Sequence, residues 1–244
     1  MADYDNTFAK RGRDYKYATE TYPTALINEF KTAVSIICST HPTTVLNIPA
    51  ACVPLDLYLP STIKYTCFES NKDFAALTNI QYASLFEIPV PNNSIDAIIC
   101  LASLHHATHA ERQIFYNECM RILTPGGALI IGDVLQDSPQ DRWLNIFVNK
   151  YNPSGHKGLF WNAADIEHLK SVGFSVDFST YKYTWDFESH ADIIDFSRHL
   201  FGLEKISDDV LDDGLREFLK VEKDDTHIDW QLGYFIATKS PEST

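Results

Sequence analysis

Short apolar runs alternate along the chain with segments whose apolar positions recur every three to four residues, the pattern of parallel βα units. The first helical pattern begins at Tyr22-Pro23, where proline suits a first turn. It runs to about Cys38, with Leu26, Phe30, Ala33 and Ile37 on one face. Buried strands are predicted at Thr43–Ala50, at Ile63–Glu69, near Asn79–Phe86 and at Ser94–Ser103. Ser70, with Asp73 three residues on, reads as the cap of the helix after the second strand. Thr108 with Glu111 is a clearer capping box and opens a helix carrying Phe115, Cys119, Ile122 and Leu123. Pro125-Gly126-Gly127 ends that helix and turns into a fifth strand, Ala128–Val134. Asn162 with Asp165 starts another helix, which Gly173 stops, and a sixth strand is predicted at Ser175–Trp185. Two acidic helices follow; Ser189 caps the first, Gly202 stands where a left-handed residue ends it, and Ser207 caps the second. The last strand, Trp230–Lys239, follows so closely that it must enter the sheet as an antiparallel edge insertion.

The chain of 244 residues is 45% hydrophobic, enough for one substantial core, so a single domain spanning 1–244 is expected. It divides into an N-terminal cap (1–40), a first core half (41–135), a second core half (136–185), a helical cap insertion (186–228) and a last strand with tail (229–244). Lysine and arginine number 20 against 33 aspartates and glutamates, a formal charge of −13. Such a surface repels phosphates, which argues against nucleic-acid substrates and against anionic membrane surfaces. The dense acid of residues 204–225 reads as a solvated face. The five cysteines include no CxxC pair, and four lie in apolar stretches, as thiols of a reducing compartment do. The N-terminal residues carry no apolar signal core, and no stretch approaches the roughly 20 apolar residues of a membrane span, so a cytoplasmic location is expected.

The block from Glu87 to Val134 contains Ile88-Pro89-Val90-Pro91, then Ser94-Ile95-Asp96 at a strand start, Leu104-His105-His106, and Arg121-Ile122-Leu123-Thr124-Pro125-Gly126-Gly127. In this combination it resembles the class I S-adenosylmethionine-dependent methyltransferases, in particular the small-molecule, methyltransferase type 11-like branch with a helical cap. A weaker likeness extends to the N-terminal cap and to residues 158–174. The resemblance implies a Rossmann-like α/β fold: a seven-stranded, mostly parallel sheet with helices on both faces, an antiparallel last strand and a helical cap. It also implies S-adenosylmethionine as cofactor and a small-molecule substrate as partner, and leaves a homodimer open.

In that family the loop after strand one is glycine-rich, because the cofactor lies against bare backbone. An acid ends strand two, where it accepts from the ribose hydroxyls, and an Asp after strand three receives the adenine amino group. Carried over, the cofactor-binding positions are Asn47, Pro49, Ala50, Ala51, Glu69, Ser70, Ser84, Leu85 and Leu101, with Tyr15 from the N-terminal cover. Glu69 keeps the acid and, closing strand two, reads as the ribose acceptor, with a surface glutamate capping the next helix as the alternative. Asn47 replaces the acid of strand one, Pro49, Ala51 and Val53 occupy the glycine positions, and Ser84 stands for the adenine-binding Asp. Pro49 lacks an amide hydrogen, Ala51 adds a methyl group, and Val53 disfavours positive φ. Each lost charge-assisted hydrogen bond costs about 1.5–3 kcal/mol.

Methyl transfer is an in-line displacement that benefits from positioning and, for an acceptor that must lose a proton, from a general base. His105 and His106, just past the fourth predicted strand, are the catalytic candidates, although packing accounts equally well for either one alone. Tyr17, His156, Trp161 and Arg198 are candidate substrate residues, with packing as the alternative for each aromatic. There is no GxSxG, phosphate loop, GxGxxG or HExxH. His105, His106 and His109 straddle a loop and a helix start, so no metal is expected. Two functions follow: methyl transfer to a small metabolite, or a methyltransferase fold that has lost methyl transfer and serves binding, regulation or another reaction.

Overall fold

The computed structural model describes residues 2–52 and 55–241. Its centre is a six-stranded sheet in the order β2-β1-β3-β4-β6-β5, made of β1 (Thr44–Asn47), β2 (Lys64–Cys67), β3 (Ile95–Leu101), β4 (Leu123–Asp133), β5 (Phe174–Asp186) and β6 (His227–Lys239). Strands β1 to β4 pair in parallel, and β6 enters antiparallel between β4 and β5. The last strand is therefore interior and β5 forms the edge, because the long β5–β6 pairing from Phe174↔Lys239 to Asp186↔His227 covers one side of β6.

At the centre of the sheet, on β3 and β4, both faces are buried, as parallel strands require. Ala97, Ile99 and Leu101 of β3 and Ala128 and Ile130 of β4 join one core with α2 (Ile27–Ser39) and α8 (His190–Phe201). Ile98 and Cys100 with Leu129 and Ile131 join the other, against α4 (His109–Ile122) and α7 (Ala163–Val172). The remaining helices are α1 (Ala2–Thr21), α3 (Lys72–Thr78), α5 (Pro139–Arg142), α6 (Asn149–Tyr151) and α9 (Asp208–Gly214), with a π-helical stretch at Trp143–Val148 joining α5 to α6. Helix α1 packs on α3 and α8, and so lies across the carboxyl ends of the strands. None of the described helices is long and apolar enough to cross a membrane.

The capping boxes at Thr108–Glu111 and Asn162–Asp165 form as expected, and Gly173 and Gly202 end their helices in the left-handed region. Three local expectations change. The first patterned helix, α2, starts at Ile27, after a turn that absorbs Pro23. The α3 cap is Asn71, whose Oδ1 accepts from the Phe74 amide at 2.8 Å, and the Ser70 hydroxyl is buried without a partner. Residues 79–86 make no full strand. Asn79 is left-handed, Glu69 pairs with Tyr82 alone, and the chain turns away where Ser84 bridges Glu87.

Candidate active site

Strands β3 and β4 carry the site because their carboxyl ends open on the loop at Leu104–His106. Asp133, the last residue of β4, is fully buried, and its two oxygens hold His105 twice. Oδ1 lies 2.7 Å from His105 Nδ1, and Oδ2 accepts from the His105 amide at 3.0 Å. Burial works to raise the Asp133 carboxyl, but His105 and the Val134 amide hold it below its ordinary value. Arg112 fixes the same loop from beneath. Its Nε donates to Leu104 O at 3.1 Å, its Nη1 to Asp165 at 2.8 Å and its Nη2 to Leu159 O, while Leu159 N donates to His105 O.

Above this loop lies a cavity of about 120 Å³, reached by Phe8, Arg11, Glu29, His105, His106 and His156. Tyr15, Phe201, Trp185 and Trp230 wall it, the two tryptophans stacked 4.0 Å apart. The three histidine rings form a triangle with centroid separations of 4.2, 5.3 and 5.2 Å. Burial, followed by the neighbouring His106 and His105, holds His156 well below the ordinary histidine value. Glu29 is buried, accepts from Trp185 Nε1 at 3.0 Å, and is pushed up to about 7 by desolvation. Burial likewise lowers Arg11 to about 10; its guanidinium donates to Leu200 O and lies against Gly202, where a side chain would collide with it.

Beside the cavity, Glu69 is wholly buried. It accepts from the Ala51 amide at 2.9 Å, the Asn71 amide at 2.8 Å and the Tyr4 hydroxyl at 3.0 Å. Burial raises its carboxyl, and these bonds oppose the rise. Tyr4 stacks on Phe8, and Phe8 on Phe74, so the first turns of α1 close over Glu69. In the loop after β1, Ala51 and Cys52 take positive φ of 42° and 62°, a conformation natural to glycine that costs an L-residue about 1–2 kcal/mol. Val53 lies outside the described residues.

The structure therefore gathers His105, His106, His156 and Tyr15 around the cavity, and sets Ala51, Ser70 and Glu69 beside it. Asn47 is buried at the end of β1, its amide bonded to Tyr65 Oη at 3.0 Å, with Pro49 and Ala50 following in the same loop. Ser84 Oγ accepts from the Phe86 amide, and Leu85 and Leu101 pack into the two cores. Three substrate candidates lie elsewhere. Tyr17 is exposed and bonds Asp195 across the outside of α8. Trp161 is buried under the Arg112 guanidinium. Arg198 closes the end of α8 through Leu203 O and Ile206 O. Reading the sequence missed Arg11, Glu29 and Asp133. The first two lie on helices whose pattern reads as packing; Asp133, a charge closing an apolar strand, was the available signal.

Residues 51–131, about a third of the chain, match the family model described as a methyltransferase domain. A 55-residue stretch is 40% identical to 27-O-demethylrifamycin SV methyltransferase of Amycolatopsis mediterranei; it spans 22% of this chain and 20% of that relative. Among solved structures, one from Thermotoga maritima, described as a SAM-dependent methyltransferase and possible histamine N-methyltransferase, aligns over 96% of this chain and 99% of its own (TM-score 0.60, 14% identity). Phosphoethanolamine N-methyltransferase 2 of Haemonchus contortus, solved with phosphomonomethylethanolamine and S-adenosylhomocysteine, aligns over 98% of this chain and 59% of its own (TM-score 0.59, 16% identity). Residues 51–131 thus carry a methyltransferase-domain pattern, and the chain shares its fold with solved methyltransferase structures.

Proposed function

We propose that the protein transfers a methyl group from S-adenosylmethionine to a small molecule held in the histidine-lined cavity. The observation that carries this reading is the His105–Asp133 pair facing a half-enclosed, aromatic-walled space at the carboxyl ends of β3 and β4. Bound cofactor supplies an electrophilic methyl group on a sulfonium. Glu69 would accept from its ribose hydroxyls, the Ala50–Ala51 backbone would face its methionine part, and Ser84 and Leu85 would border its adenine. The donor set fits: the Tyr4 hydroxyl already makes to Glu69 the kind of bond a ribose hydroxyl makes. The opening turns of α1 must then withdraw before cofactor enters.

Asp133, by accepting from Nδ1, keeps the His105 lone pair on Nε2, where it takes the acceptor's proton as the new bond forms. The aromatic walls exclude water around the transfer. A small acceptor, rather than a polymer, suits both the cavity of about 120 Å³ and the formal charge of −13.

The closure of Glu69 by Tyr4, with Ala51 and Cys52 in a glycine-like conformation, favours a second reading, in which the fold has lost methyl transfer and the cavity alone serves. Incubation with methyl-labelled S-adenosylmethionine and a cell extract separates these readings. The proposal expects label in the fraction below about 1 kDa and none on protein or RNA. Label on macromolecules would overturn the acceptor class, and no transfer to any fraction would favour the second reading.

A further inference from the structure

The histidine triangle has a property that a lone general base does not need. His105, His106 and His156 each bring one ring nitrogen to a common point, all three within 4.8 Å of one another. Two of them are held from behind by an oxygen. His105 Nδ1 lies 2.7 Å from Asp133 Oδ1, and His156 Nδ1 lies 3.4 Å from Asn145 Oδ1. An Nδ1–H held in this way leaves the lone pair on Nε2, the tautomer that metal-binding histidines adopt, and a carboxylate behind the ring strengthens the ligand. The sequence hides this set, because His156 lies some fifty residues from the other two and reaches them only through the loop after α6. His109, adjacent in sequence, belongs to α4 and faces His168 instead.

We propose that His105, His106 and His156 form a site for a divalent, imidazole-binding metal ion such as zinc, with its fourth position open to the cavity. Three histidines with an open position are the arrangement of catalytic rather than purely structural zinc. Zinc–nitrogen bonds of about 2.0–2.1 Å put tetrahedral ligand atoms about 3.4 Å apart, so ring shifts of about an ångström complete the site. Buried Asp133, behind His105, supplies a carboxylate next to the site, and Arg11 and Glu29 also line the cavity. With the ion bound, His105 Nε2 serves as a ligand and not as the base, and the open position would take an oxygen, nitrogen or sulfur donor of the acceptor. Ion binding itself stands on the histidine geometry and does not rest on methyl transfer.

Cobalt(II) serves as the probe, titrated into metal-free protein and followed by its visible ligand-field bands, with zinc competing for the same site. The expected result is one ion per chain, at least 100-fold weaker binding in His156→Gln and in His106→Gln, and unchanged binding in His109→Gln. Asp133→Asn should weaken binding 10- to 100-fold, as for carboxylates that orient ligating histidines. Because a variant could lose structure, each is also melted with and without zinc. Zinc should raise the Tm of the wild type and of His109→Gln. It should leave unchanged the Tm of a His105→Gln/His106→Gln/His156→Gln variant whose metal-free circular dichroism matches wild type. Absence of saturable cobalt binding by the wild type, or binding that survives the triple substitution, overturns the proposal. Methyl transfer that proceeds undiminished in metal-free protein would leave His105 as base and remove the ion from the reaction, without touching the binding result.

Discussion

Tyr4→Phe should make the protein bind S-adenosylhomocysteine more tightly. The substitution keeps the ring that packs 4.4 Å from Phe8 and deletes only the hydroxyl that donates to Glu69 Oε1 at 3.0 Å. A hydrogen bond to a charged group contributes about 1.5–3 kcal/mol. Glu69 keeps the Ala51 and Asn71 amides, so the loss falls on the α1 contact and not on the fold of the loop. At about 1.4 kcal/mol per tenfold, the closed form becomes roughly 10- to 150-fold less favoured. On the proposed reading, cofactor competes with the Tyr4 hydroxyl for one carboxylate, so the apparent Kd is the intrinsic Kd divided by the fraction of open protein. The apparent Kd should fall towards the same factor, until the open form predominates. Isothermal titration of both proteins at matched pH and salt measures it, and ligand-free Tm should drop slightly in the variant. An unchanged or larger Kd in a folded Tyr4→Phe variant would refute the idea that α1 occupies the ribose position.

Other consequences follow from the buried charges. Asp133→Asn should lower the methyl-transfer rate by about 10²-fold or more while leaving the Kd for S-adenosylhomocysteine unchanged, because it disturbs His105 and not Glu69; a parallel loss of both would contradict this assignment. Glu29 holds its proton to about pH 7, against an ordinary value of 4.5. Between those values the native state binds a proton that the unfolded chain has released, so stability falls as pH rises through this window, by about 3 kcal/mol in all. Glu29→Gln should flatten that slope in urea melts at pH 5 and pH 8; an identical slope in the variant would refute it. Arg112→Ala leaves Asp165 buried and unpaired, which costs about 3–5 kcal/mol and should lower Tm by about 10 °C in calorimetry. A shift of a degree or two would mean that the pair contributes little.

The sequence made the scaffold readable wherever local chemistry decides the conformation. Thr108 and Glu111 cap α4 wherever the helix goes, and the apolar runs of β3 and β4 must be covered on both faces. Residues 79–86 escaped because they pair only at Tyr82, with Glu69 just past β2, before the chain turns where Ser84 bridges Glu87. At the site, His105 and His106 were legible as neighbours past a strand end. Trp161 and Arg198 were misplaced because a large aromatic and an arginine suit a cap equally well as packing and as ligand contacts. Here one lies under Arg112, and the other satisfies the carbonyls after α8. Glu29 and Arg11 could not be read at all, since only the packing of α2 on the sheet face and of α1 across the strand ends turns two helix residues into cavity walls.

Glu69 carries the central claim, for it is the buried acid just past β2 on which the proposed cofactor binding would turn. Calorimetric titration of wild type and Glu69→Ala with S-adenosylhomocysteine tests it most directly. The account predicts saturable one-to-one binding by the wild type, and a loss of at least about 100-fold in the variant, as expected when a charge-assisted pair of hydrogen bonds is removed. No heat of binding by the wild type at millimolar ligand, or equal affinity in both proteins, would contradict it.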